Sequence, residues 1–440
     1  MSLARQGFGT FLARILGFAC ATGASIMLAR LLGPSGKGVY ALAVLAADLL
    51  LAFVHAGVGS AAVHDYGKGR LTLREIVPAF FWLSAGLGLG SIAAYLLAAP
   101  WLQRTVLREV PPGLALAAVM TVPVGILAKY LNYLQLARNR IAEYNWVYVS
   151  PNLVAVLGLA VLAAAGKLSV ATAVCVWIAS QVVQTVVAAA LALRGVKLTW
   201  RLKASAARSL LSYGMRVQMV MIANQLHYRG DLLLLGYFRN SAQVGLYTIA
   251  VGIGSLLTFL PESIGVVLFR RVSADAADRS EVSAIAGRLT LVIMLVAAGV
   301  AALAAPWLVP LVYGSKFVPS VAGVWALLPG IVGLGLFKVV SSDLMGRGRP
   351  GLVGAMSFTG LAVNVLANLI LIPRYSFVGA AAASSISYCL LSAMVVISFL
   401  RMTKLPAREV LLPRPADLRR ALASLRGRGR SRQSMPEDSA

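Results

Sequence analysis

Residues 31–43 read LLGPSGKGVYALA, and residues 234–250 read LLGYFRNSAQVGLYTIA. Each is a polar turn between two long apolar runs, and the second repeats the first. Leu32-Gly33 with Gly38-Val39-Tyr40 returns as Leu235-Gly236 with Gly245-Leu246-Tyr247. The echo continues outward from there. Ala99-Pro100-Trp101-Leu102 returns as Ala305-Pro306-Trp307-Leu308, and Lys129, Arg138 and Arg140 return as Lys338, Arg347 and Arg349. The offset is 207 between Tyr40 and Tyr247, 206 between Trp101 and Trp307, and 209 between Lys129 and Lys338, close to half of the 440 residues. Ordered echoes at half the chain length, in an apolar chain, read as a two-half transporter architecture.

The composition sets the solvent. Hydrophobic residues make up 59% of the chain and charged residues only 12%, more apolar surface than a soluble domain of this size buries. The apolar runs reach about 20 residues, enough to cross a hydrocarbon core of roughly 30 Å as helices. They do not alternate as the strands of a transmembrane barrel would. The expected fold is therefore an all-α polytopic membrane protein. Its twelve spans lie near residues 8–31, 38–62, 76–99, 112–137, 144–165, 169–193, 209–234, 243–269, 287–313, 319–345, 351–372 and 376–400. The repeat groups them into two pseudo-symmetric six-helix bundles, 1–193 and 209–400. A basic linker, 194–208, joins the bundles, and a basic tail, 401–440, follows and is expected to be disordered. Within the tail, Asp417 to Leu425 reads either as a short helix on anionic lipid or as part of a solvated segment. Trp101, Trp146, Trp200 and Trp307 fall near span ends, as an interfacial belt requires, and Pro123, Pro261 and Pro329 fall inside spans, where each removes a backbone donor.

The net charge of +25 does not indicate nucleic acid, because the basic residues sit mostly in short loops between spans. Their sidedness sets the topology instead. Lys68, Arg70 and Arg74, then Arg138 and Arg140, the linker's five basic residues, and Arg347 and Arg349 all fall on one side. Fewer fall on the other, among them Lys37, Arg104, Lys167, Lys316 and Arg374. The richer side is the cytoplasm, so both termini are expected inside. The first apolar run is too long for a signal-peptide core and reads as a first span. Cys20, Cys175 and Cys389 lie within apolar runs, with spacing for neither a disulfide framework nor a metal site. No phosphate-binding loop of the G-x-x-x-x-G-K-[ST] kind is present, and no nucleophile–base cluster stands out. A transport unit without cofactor or metal, rather than an enzyme, is the expectation.

Ionisable groups inside spans are costly and point to function. Four are cations, matched in pairs by the repeat: Arg14 with Arg216, and Lys129 with Lys338. By helical rise, all four lie roughly 9–14 Å in from the cytoplasmic end of their spans. Arg216, Asn224, His227 and Asp231 follow at spacings of 8, 3 and 4, as on one helical face. The bland alternatives are that the arginines snorkel to headgroups, and that the lysines sit in fixed pairs, for example Lys338 with Asp343. The acids expected within spans are Asp48, Glu262 and Asp343, with His55 at the place of Glu262 in the first half. Together with Asp231 these are the candidates for ion coupling or gating, and partnering a cation is their structural alternative.

RLLGPSGKGVYALA after the first span, YRGDLLLLGYFRNSAQVGLYTIA after the seventh, LVYGSKFVPSV after the ninth and LIPRYSFVGAAAASSISY near the end resemble the Wzx-like polysaccharide transporters. These are oligosaccharide-lipid flippases of the multidrug/oligosaccharidyl-lipid/polysaccharide (MOP) exporter superfamily. The resemblance covers about residues 8–400. It implies two six-helix bundles around a cavity, alternating access, and a place in the bacterial inner membrane among membrane lipids. It also implies a polyprenyl-pyrophosphate-linked oligosaccharide as substrate, with a polysaccharide polymerase and chain-length machinery as partners of a monomeric transport unit. Two places depart from the pattern. His55-Ala56-Gly57-Val58-Gly59 lacks the acidic residue that relatives often carry there, and Ser376 stands where a glycine usually follows Tyr375. Twelve spans also separate the chain from the related peptidoglycan-precursor flippases, which typically have fourteen.

On this reading the pyrophosphate sits near Arg14, Lys129, Arg216 and Lys338, with Asn224 in the same cavity, since cations hold phosphate without hydrolysing it. An ion-coupled multidrug antiporter on the same fold is the alternative. A cavity for cationic drugs should be acidic and aromatic, and here the intramembrane cations match or outnumber the acids.

Overall fold

The computed structural model describes residues 3–196, 199–274, 280–408 and 412. Among these the regular structure is helical, with no strand. The helices are α1 (Leu3–Val54), α2 (Val58–Gly67), α3 (Leu73–Arg104), α4 (Pro112–Val119), α5 (Val122–Ala137), α6 (Ile141–Ala164), α7 (Val170–Ala192), α8 (Ala204–Phe238), α9 (Ser241–Ala274), α10 (Ser280–Tyr313), α11 (Ser320–Gly346) and α12 (Pro350–Thr403). Nine helical stretches among the described residues are long and apolar enough to cross a membrane. The tail segment Asp417 to Leu425 lies outside the described residues.

The longest helices are not single rods. At about 1.5 Å per residue, the 52 residues of α1 would extend roughly 78 Å, more than twice a hydrocarbon core. Gly33 breaks the helix, with φ 69° and ψ −176°, a left-handed region that a side chain disfavours. The break is narrower than the turn expected over Gly33–Gly36. Pro34 already opens the next helical segment, where its missing N–H costs nothing. The 54-residue α12 breaks in the same manner at Ser376, with φ 55° and ψ −135°. A serine is strained there, and its hydroxyl donates to Gln243 Oε1 at 2.8 Å, which anchors it.

Two expected spans are each split, which corrects the reading of 38–62 and 112–137 as continuous. The first parts between α1 and α2 at Ala56 (φ 50°) and Gly57 (φ 59°). The backbone groups this releases are taken up by side chains. Gln218 Nε2 donates to the carbonyls of Ala52 (2.5 Å) and Phe53 (3.1 Å), Tyr130 hydroxyl donates to the His55 carbonyl (2.8 Å), and Gly57 N–H donates to His55 Nδ1 (3.1 Å). Within a bilayer only such internal partners make a broken helix tolerable. The second split falls between α4 and α5, just ahead of Pro123, and Thr121 hydroxyl donates to the Ala118 carbonyl at 2.6 Å. Pro261 and Pro329, by contrast, sit inside continuous helices. Helix α8 begins at Ala204, within the stretch 194–208 expected to link the two bundles.

The chain forms two compact units. One comprises Met1–Gly252, Pro306–Gly323 and Val365–Ala381; the other comprises Ile253–Ala305, Val324–Asn364 and Ala382–Ala440. In the first, α8 packs against α1, α2 and α3. This helix is not among the nine apolar enough to span by composition. It carries Arg216, Gln218, Asn224, Gln225, His227, Arg229 and Asp231 along its length. A helix that polar is stable in a bundle only where its neighbours supply partners or a polar cavity.

Candidate functional site

A cavity of about 270 Å³ in the first unit is lined by Asp48, Leu51, Ala52, Gly125, Lys129, Gln181, Gln184 and Gln225. Each element contributes for a local reason. Asp48 and Ala52 are one turn apart on α1, just before the break at Ala56-Gly57 that separates it from α2. Gly125 lies on α5 one turn before Lys129, so the missing side chain leaves room above the ammonium. A Cβ there would lie 3.1 Å from Leu51. Gln181 and Gln184, three apart on α7, face inward together. Gln225 is seven residues, two turns, beyond Gln218 on α8, so the same face that caps the broken α1 also reaches the cavity.

The cavity joins opposite charges. Lys129 and Arg229 both act electrostatically on Asp48, and Lys129 acts also on His55. Of the polar lining groups, Gln184 Nε2 donates to the Val147 carbonyl at 3.3 Å. Among the described residues, the side chains of Asp48, Lys129, Gln181 and Gln225 make no hydrogen bond within the protein. They present to the cavity an acceptor, a donor, and two amides that do both.

The second unit holds the repeat mate of Lys129. Lys338 forms an ion pair with Glu262 of α9. This corrects the fixed pair considered from the sequence, Lys338 with Asp343. Asp343 instead accepts from Arg347 Nε (2.7 Å) and Ser283 hydroxyl (2.6 Å) and is fully buried. The reason is helical geometry: residue i+5 turns away, while Arg347 at i+4 faces Asp343. Glu262 is also less buried than expected, its side chain 44% exposed. The two lysines thus have acidic neighbours on corresponding helices but not at corresponding positions. The repeat mate of Glu262 is His55, and Asp48 lies seven residues, two turns, before it.

The other candidates are placed as follows. Arg14 and Arg216 are exposed and do not line the cavity. The proposed single face of Arg216, Asn224, His227 and Asp231 does not hold together: His227 and Asp231 are buried, at 3% and 2%, while Arg216 is exposed and Asn224 half-buried. A step of eight residues overshoots two turns by most of a quarter turn, and the drift carries Arg216 off the packed side. Asp231 is held in a structural network. Its carboxylate accepts from the Tyr247 hydroxyl, and from the Leu232 N–H at 2.8 Å. His55 Nδ1 is engaged by Gly57.

The sequence reading missed the three glutamines. Gln181 and Gln184 are the only two amides in α7, a mostly apolar helix, and that was the available signal.

Residues 27–322 match the polysaccharide biosynthesis protein family. Over 187 residues the chain is 22% identical to the probable low-salt glycan biosynthesis flippase Agl15 of Haloferax volcanii, covering 41% of this chain and 40% of that protein. The chain spans about two fifths of the length of the curated relatives it matches. Among solved structures, it is similar to the lipid II flippase MurJ in an inward closed conformation, at TM-score 0.76 and 15% identity, covering 96% of this chain and 91% of that one. It is also similar to an inward-facing multidrug resistance MATE family transporter of the MOP superfamily, at TM-score 0.69 and 15% identity, covering 88% and 94%. At such identities the two structures establish the fold, and the family match spans more than half the chain: this is a multi-pass membrane protein belonging to the polysaccharide biosynthesis protein family.

Proposed function

We propose that the protein is a flippase that moves a lipid-linked glycan across the membrane by alternating access. The observation that carries this is a helix bundle whose first unit holds a polar cavity with an acid and a base in its lining, in a chain of the polysaccharide biosynthesis family with a MurJ-like and MATE-like fold. A chain that only anchored or scaffolded would gain nothing from placing Asp48, Lys129 and three carboxamides around a cavity among spanning helices.

Helices α1 and α12 each cross twice, about Gly33 and Ser376, α4 and α5 make one broken crossing, and α8 crosses despite its polarity. That gives twelve crossings in two halves, 1–193 and 209–400, with both termini cytoplasmic in the bacterial inner membrane. Packing between helices repeats in the two halves. A Cβ on Gly59 would meet the Tyr133 ring, and one on Gly265 would meet Ser342, nearly the same pair of places one repeat later. The substrate is a polyprenyl-pyrophosphate-linked oligosaccharide. Arg14 and Arg216 serve its pyrophosphate, while Lys129 and Lys338 each lie beside an acid, and Asp48 is the acid best placed for coupling. The multidrug-antiporter alternative is opposed by Lys129, whose charge in the cavity repels a cationic drug.

The test is transport by the purified chain in liposomes loaded with a polyprenyl-pyrophosphate-linked glycan. Digestion by an added glycosidase should rise to include the inner-leaflet glycan. Unchanged protection of that pool, with efflux of a cationic dye instead, would replace the flippase with the antiporter.

A further inference from the structure

We infer that the cavity of the first unit is a sugar subsite: it takes one ring of the glycan, next to the pyrophosphate, rather than the pyrophosphate itself. This rests on the flippase reading above. The lining excludes other occupants by its chemistry. Asp48 and Lys129 sit in the same cavity, so the lining carries one acidic and one basic side chain. A pyrophosphate needs a net positive setting, with arginine forks where available, and here it would meet the Asp48 carboxylate. A simple cation would meet the Lys129 ammonium. An apolar chain would leave Gln181 and Gln225 without partners.

Sugar hydroxyls are the complement. Each hydroxyl donates and accepts at once, as does each carboxamide. Asp48 takes only donors and Lys129 gives only donors, and both ends of a hydroxyl satisfy them. The side chains of Asp48, Lys129, Gln181 and Gln225 have their hydrogen-bonding groups uncommitted, and Gln184 is tied only through one N–H, to Val147. The size agrees. About 270 Å³ is room for several waters and admits a sugar ring with its hydroxyls. Gly125 and Ala52 leave the wall smooth between the polar groups, so a ring face can lie against it.

The experiment compares two probes on the detergent-solubilised full chain: undecaprenyl pyrophosphate, and undecaprenyl pyrophosphate bearing one N-acetylhexosamine. The wild type should prefer the sugar-bearing lipid. In Gln181→Leu and in Gln225→Leu that preference should shrink about tenfold, the worth of one or two hydrogen bonds, while the sugar-free lipid still binds and so reports a folded protein. Gln181→Asn, which keeps the amide on a shorter stem, should retain part of the preference. A preference unchanged in both leucine variants would overturn the sugar subsite and leave the flippase reading standing. Equal weakening toward both lipids would also overturn it and assign the cavity to the pyrophosphate. A wild type that binds neither lipid would overturn the flippase reading, and the subsite with it.

Discussion

Gly38 and Gly245 occupy the same place in the two copies of the sequence repeat, and they pack backbone to backbone. A Cβ on Gly38 would lie 1.7 Å from the Ser241 carbonyl oxygen and 3.0 Å from the Gly245 nitrogen. A Cβ on Gly245 would lie 2.0 Å from the Pro34 carbonyl oxygen and 3.2 Å from the Gly38 nitrogen. Pro34 and Ser241 are themselves one repeat apart, at the same offset of 207. The contact is thus self-complementary: residue i meets j′ and i′ meets j, as across a local two-fold axis. The same place is pinned by polar groups. Ser35 and Ser241 hydroxyls are 3.1 Å apart, and Glu109 accepts from Ser241 N–H at 3.1 Å and from its hydroxyl. Lys37 is folded back onto Ser25, donating to its carbonyl at 3.0 Å and its hydroxyl at 2.6 Å.

Because backbone cannot yield as a flexible side chain does, Gly38→Ala and Gly245→Ala should each destabilise this conformation by about 1–3 kcal/mol. A lowered unfolding temperature in detergent is the readout, with Gly113→Ala, which has open space around it, as the unaffected control.

If this contact must open during transport, a covalent tie should stop the cycle. Ser35→Cys with Ser241→Cys should form a disulfide on mild oxidation, arrest transport, and release it on reduction. Free transport in the oxidised pair would show that the contact is static.

The broken α1 makes a stability prediction. Gln218 is fully buried and holds the carbonyls of Ala52 and Phe53. Gln218→Leu leaves both without a partner, and each unsatisfied group costs about 1–3 kcal/mol. The unfolding temperature should fall more than in Gln225→Leu, whose amide faces the cavity.

What the sequence made legible divides along physical lines. Membrane class, helicity and the repeat turn were readable because they depend on composition and on residues near each other in the chain. Lys129 and Asp48 stood out as candidates because a charge inside an apolar run is costly. The pairing of Lys338 with Glu262 was not, since the two residues are 76 apart in the chain and their meeting depends on how α9 and α11 are rotated against each other. The break at Ala56-Gly57 was hidden for the same reason: Gln218 and Tyr130, which make it tolerable, come from elsewhere in the chain. The three glutamines were passed over because an amide in a span is cheaper than a charge and attracts less notice.

Topology is checked by labelling. Single cysteines at Lys167 or Lys316 should react with an impermeant reagent in intact cells, and a cysteine at Lys203 only after permeabilisation. Lys203 pairs with Glu75 at 2.7 Å, which places the linker end beside the start of α3. Reaction of Lys203→Cys from outside would reverse the orientation and the direction of transport.

The four cations make the last prediction, and the structure divides them. Lys338 is neutralised by Glu262 and Lys129 shares a cavity with Asp48, whereas Arg14 and Arg216 are exposed. A charge near the middle of a membrane costs about 2.5–3.5 kcal/mol, and a structural role gives no reason to repeat that cost one repeat later. An anionic pyrophosphate does, and an arginine fork meets two phosphate oxygens where a lysine meets one. Arg14→Ala and Arg216→Ala should therefore abolish glycan export in cells lacking the native copy, at unchanged membrane abundance, with Arg→Lys restoring part of it. The lysines should behave as coupled pairs instead. Lys129→Ala removes one of the two cations that act on Asp48 and leaves Arg229, so Asp48→Ala in the same chain should recover part of the abundance and stability lost in the single variant, with a coupling of at least about 0.5 kcal/mol in a double-mutant cycle. Export that persists in both arginine alanine variants would mark Arg14 and Arg216 as headgroup anchors that snorkel to the interface, and the pyrophosphate would need other partners.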